Sequence, residues 1–137
     1  MNRKPDWMAQ LQRAVDTAHV LPFSYGLHDC CTFAAHCVDA MCGTDLVSRM
    51  QRDHPYRTEE DAYEHIAMSG GLTGLVSLYL GEPMHNVLLA QPGDIALTLN
   101  HDSREIIGVI IGHNIVVPGS HGLQSFTTAG IISAWSV

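Results

Sequence analysis

The chain has 137 residues, 46% of them hydrophobic and 15% charged, enough apolar material for a folded core in one domain spanning 1–137. Seven Lys and Arg against fourteen Asp and Glu give a formal charge of −7, which argues against a nucleic-acid partner, since such binders present a basic face. No apolar run reaches the roughly 18–20 residues of a membrane-spanning helix. The polar residues Gln10, Gln12, Arg13 and Asp16 interrupt the apolar centre that a secretory signal peptide would need, so synthesis and folding in a cytoplasm are expected. The four cysteines, Cys30, Cys31, Cys37 and Cys42, crowd into thirteen residues, which in a reducing compartment reads as thiols or metal ligands sooner than as disulfides.

Trp7, Leu11, Val15 and Ala18 recur at helical spacing and predict a helix over Pro5 to Ala18. A turn follows at Phe23-Ser24-Tyr25-Gly26. Asp29 is a suitable N-cap for a helix from Cys30 to about Met41, with Gly43 as its stop. Trp7, Leu11, Phe33, Cys37 and Met41 are expected to face inward between these two helices. Thr58-Glu59-Glu60-Asp61 opens another helix that ends near Ser69-Gly70-Gly71, and a shorter one runs from Leu72 to Leu80. After Pro92 the pattern changes. Strands are expected at Ile95–Leu99, Ile106–Ile111, Ile115–Val117, Phe126–Thr128 and Ile131–Val137, with a turn at Gly112-His113-Asn114. Helices first and strands afterwards indicate an α+β fold, with N-terminal helices packed on a C-terminal, mainly antiparallel sheet. The run Ile106–Ile111 lacks polar alternation and should be covered on both faces.

The chemistry-bearing stretch is Tyr25-Gly26-Leu27-His28-Asp29-Cys30-Cys31-Thr32. With Asp29 as cap, Cys30 falls in the first helical turn, where free backbone N–H groups and the helix dipole favour a thiolate, the attacking form of a cysteine. The same N–H groups can stabilise an oxyanion. A cysteine is also a small apolar residue that is often simply buried, and Cys37 and Cys42 read that way. Zinc ligation by His28, Cys30, Cys31, His36 and Cys37 has no C-x-x-C pair to build on, and adjacent helical side chains diverge by about 100°. No metal and no cofactor is expected.

Gly26-x-x-Asp29-Cys30, then Pro92-Gly93-Asp94-Ile95, then Ile107-Gly108-Val109-Ile110-Ile111-Gly112 resemble the NlpC/P60 branch of papain-like cysteine peptidases. The doubled cysteine, Gly122-Leu123 and Ala134-Trp135 are similar to those of small phage-encoded NlpC/P60-like proteins of tail assembly and tail tip, over about residues 20–137. The resemblance implies a papain-like fold, Cys30 as nucleophile, a structural Asp94, and a general-base histidine at the position of Ile106. Isoleucine cannot move a proton. His28, beside Cys30 in sequence, and His121, after the last long strand, are the candidate substitutes for the base or its orienting group. His101 reads as a solvated loop residue, and His113 lies at the far end of the expected strand, roughly 20 Å away. His19, His36, His54, His65 and His85 carry no motif.

The expected function is a phage tail-tip or tail-assembly protein of the virion, on a papain-like scaffold with weak or lost peptidase activity. Its partners would be other tail proteins. The alternative is an active cysteine peptidase that cleaves peptidoglycan cross-bridges during cell-wall penetration. A metal-binding interaction module is the third reading.

Overall fold

A computed structural model describes residues 2–137. Five α-helices precede a five-stranded antiparallel sheet among the described residues: α1 (Trp7–His19), α2 (Cys30–Cys42), α3 (Leu46–Asp53), α4 (Glu59–Met68), α5 (Gly71–Leu80), then β1 (Ile95–Leu99), β2 (Glu105–Ile111), β3 (Asn114–Gly119), β4 (Gly122–Thr127) and β5 (Ser133–Trp135). The strand order is β4-β3-β2-β1-β5. The fold is α+β, with the helices ahead of the sheet as their sequence patterns require. None of the helices is long and apolar enough to cross a membrane.

Helix α2 is the central element and packs on α1, α3, β2 and β3. Phe33, Cys37, Val38 and Met41 along it are almost wholly buried, and Leu11 and Val15 of α1 close over them. Trp7 joins this core from its partly exposed position. The helix stops at Gly43, whose φ of +70 is a left-handed conformation that glycine adopts without steric cost.

Alternation along β2 divides its side chains between the two faces. Ile107 and Val109 enter the main core beneath α2, whereas Ile110 joins Ala96, Ile115 and Val117 in a second, smaller apolar cluster. The strand is therefore covered on both faces, as its unbroken apolar run anticipates. Trp135 of β5 is fully buried, and its indole N–H donates to Ser77 Oγ at 3.2 Å.

The residues before α1 are tied to the sheet. Arg3 donates through Nη2 to Asp94 Oδ1 at 2.9 Å, through Nη1 to the Pro92 carbonyl and through Nε to the Val137 carbonyl. Asp94 is buried and also accepts the Val137 and Gln91 N–H groups, which is the structural part its place before β1 suggests.

Several boundaries differ from the sequence expectation. Helix α3 was not anticipated. The edge strand β4 begins at Gly122 rather than Phe126, and Thr128–Gly130 forms a 3₁₀ turn. The last strand contracts to Ser133–Trp135, which pairs with Leu97–Ile95 of β1.

Candidate active site

Asp29 organises the start of α2. Its Oδ1 accepts the Thr32 N–H at 2.9 Å, and the Asp29 N–H donates back to Thr32 Oγ1 at 2.8 Å, a reciprocal capping box. Its Oδ2 accepts the Gly26 N–H at 2.8 Å and the Tyr56 hydroxyl at 2.7 Å. The carboxylate is buried, and both oxygens are fully engaged. Gly26 has φ +84, and a Cβ there would run into the Tyr56 carbonyl oxygen, so only glycine lets the two loops meet. The Gly26-x-x-Asp29 spacing is thus one side of a buried network whose other side, Tyr56, comes from the loop before α4.

This network sets Cys30 as the first residue of α2, half-buried in a groove of about 260 Å³. One wall is formed by Tyr25, Tyr56, Tyr63 and Ile66, and the other by the β1–β2 hairpin and the β3–β4 end of the sheet. Ile106 lines the same groove. The hairpin is held by Asn100, whose Oδ1 accepts the N–H groups of Asp102 and Arg104. At the rim Arg104 donates to Tyr63 Oη at 3.1 Å and to Glu59 Oε1 at 3.4 Å.

The Cys30 thiol is held below the ordinary range, first by the neighbouring Cys31 thiol, 4.0 Å away sulfur to sulfur. The Ile107 and Cys31 N–H groups act in the same direction, and burial and the Asp29 charge oppose them. The other three thiols move up. Cys31 is buried and raised well above its usual value by its bond to Cys30 and by burial. Desolvation alone pushes Cys37 far up, and it is the first cause of the smaller rise at Cys42. One cysteine of the four therefore combines a helix N-terminus, N–H donors and an open face.

The two histidines proposed as substitutes for the base are not in this groove. His28 is paired through its backbone with Ser24, and its ring turns away from Cys30, edge-on to Phe33 at 6.2 Å, into a separate cavity between α1 and α2. His121 is exposed in the Ser120-His121 turn between β3 and β4 and lines no part of the groove. His101 packs its ring on Phe126 at 5.3 Å, and His113 is exposed in the β2–β3 turn. Among the described residues no imidazole lines the groove. No group of three or more His, Cys, Asp and Glu among them is placed to hold a metal ion.

Two contributors to this geometry escape a sequence reading. Tyr56 is 27 positions from Asp29, and nothing local in Pro55-Tyr56-Arg57 marks it. Cys31 had a signal, the doubled cysteine itself, which reads as core unless the two sulfurs are known to touch.

The family model of a domain of unknown function (DUF6950) matches residues 2–137. The chain belongs to that family. Among curated proteins none matches it significantly. The family match runs through the helices, the groove and the sheet together, so both walls of the Cys30 site fall within one family unit.

Proposed function

We propose that this protein is a phage tail-tip or tail-assembly component built on a papain-like scaffold, with cysteine peptidase activity that is weak or lost. The observation that carries the reading is the composition of the groove: Cys30 sits at the start of α2 facing β2, and Ile106 stands where the resemblance calls for the base. Acyl transfer needs a group that takes the thiol proton and returns one to the leaving amine. Asp29 is committed to its donors, and Tyr25, raised chiefly by burial, is a poor base near neutral pH. The chain would then act by contact with other tail proteins. Digestion of muropeptides by the wild type and by Cys30→Ala, read by mass spectrometry, tests the loss of activity. No turnover, or trace turnover only, is expected, and robust cleavage abolished by Cys30→Ala would overturn it. Detection of the chain in purified virions tests the tail assignment.

One observation favours the alternative of an active peptidase acting on peptidoglycan cross-bridges. The Cys30 thiol is still lowered by its surroundings, the Cys31 thiol first and the Ile107 backbone among them. A lowered thiol favours attack on a carbonyl without a histidine, and Asp102 and Glu105, which line the groove, are the carboxylates available to protonate the leaving amine.

A further inference from the structure

A second cavity, of about 300 Å³, lies between α1 and α2 on the side away from Cys30. Its polar lining is Gln10, Arg13, Thr17, His28 and His36, over a floor that includes Phe33. No acidic residue lines it, in a chain of net charge −7. The nearby carboxylates are engaged elsewhere: Asp6 accepts from Gln10, Asp16 from Gln12, and Asp29 from Gly26, Thr32 and Tyr56.

His28 carries the argument. It is only 5% exposed, yet no side-chain hydrogen bond among the described residues reaches its ring. Every fully buried side-chain nitrogen and oxygen among those residues has a partner, so the unpartnered ring nitrogens are accessible to solvent, on a residue that lines the cavity. A ring fixed by its backbone pairing with Ser24 and by Phe33 presents a preorganised N–H donor there. Arg13 of α1 and His36 of α2 bring further donors to the same space.

We propose that the α1–α2 cavity binds a small oxyanion, the carboxylate or phosphate group of a ligand, between the Arg13 guanidinium and the His28 and His36 imidazoles. Burial, reinforced by His36 and opposed by Asp29, holds His28 below its usual range, so the empty site is not forced to keep a buried charge. A bound anion favours the imidazolium and raises the His28 pKa, and occupancy therefore increases as pH falls. The groups facing His28 that enter this balance are Arg13 from α1 and Asp29 and His36 from α2 and its cap.

The test is a histidine-ring NMR titration of the full chain with sodium phosphate and, separately, sodium acetate, at ionic strength matched with sodium chloride. The His28 and His36 resonances should shift saturably with half-saturation on the order of a few millimolar, while exposed His113 does not. Tighter phosphate binding identifies a phosphoryl ligand group, and tighter acetate binding a carboxylate; either supports the site. Arg13→Gln, at an exposed position that the core does not need, should weaken binding about three- to fivefold. His28→Gln should abolish the His36 shift. Lack of saturation with both anions below about 50 mM, or an affinity unchanged by Arg13→Gln, would overturn the proposal.

Discussion

The Asp29–Tyr56 contact can be tested by a double-mutant cycle, because the structure says what each deletion leaves behind. Asp29→Ala removes the N-cap of α2, a loss of about 0.5–2 kcal/mol. It also strands the Tyr56 hydroxyl, on a residue only 6% exposed, and an unpaired buried donor costs about 1–3 kcal/mol more. A total near 3 kcal/mol corresponds to roughly 10 °C in Tm for a chain of this size. Tyr56→Phe keeps the cap but takes one of the two donors from Asp29 Oδ2, for about 1.5–3 kcal/mol. In the double variant no stranded hydroxyl remains, so its cost should fall about 1–2 kcal/mol short of the sum of the singles. Urea unfolding of the four proteins, with m-values compared, gives the coupling. Additive losses, or a Tyr56→Phe cost below about 0.5 kcal/mol, would refute the claim that this bond holds the site together.

Alkylation at neutral pH followed by mass spectrometry should modify Cys30 first, since its thiol alone is lowered, and Cys37 last; earlier modification of Cys31 or Cys42 would contradict the site. Arg3→Ala should cost about 3 kcal/mol in chemical denaturation, because it leaves the Asp94 carboxylate buried with only two N–H donors, and a loss below about 1 kcal/mol would show the pair to be dispensable. Ile106→His introduces an imidazole into the Cys30 groove, so the pH profile of Cys30 alkylation should move to lower pH as an imidazolium stabilises the thiolate. An unchanged profile in a folded variant would mean that the two positions do not communicate.

How far the fold was readable follows the reach of its determinants. Both ends of α2 were legible because each is set by a residue next to it, Asp29 at the start and Gly43 at the stop. Helix α3 was not, because its cap is remote. Asp39, on α2, accepts the N–H groups of Leu46 and Val47 and the Thr44 hydroxyl, while Asp45 in the cap position makes no such bond. Strand β4 has the same origin. Gly122-Leu123-Gln124-Ser125 has no apolar alternation, and these residues are extended because Gly119, Pro118, Val117 and Val116 of β3 pair with them.

The site divides along the same line. The capping pattern put Cys30 at a helix start and the resemblance put the base position at Ile106; both residues line one groove, Ile106 from the face of β2 that packs on the second cluster. Histidine proximity in sequence failed for His28, because the Ser24–His28 backbone pairing fixes the ring toward Phe33 and α1, while α2 leads Cys30 to the groove on the other side. That failure is informative about function. A cysteine whose thiol is lowered by a neighbouring thiol and backbone N–H groups can be nucleophilic without a base, whereas hydrolysis also needs a carrier for the proton returned to the leaving group. Folding alone gives the buried Asp29 network a role, since it caps α2 and joins the loops at Gly26 and Tyr56. Stability by itself requires the frame around Cys30, so an intact frame is compatible with a groove that no imidazole among the described residues lines.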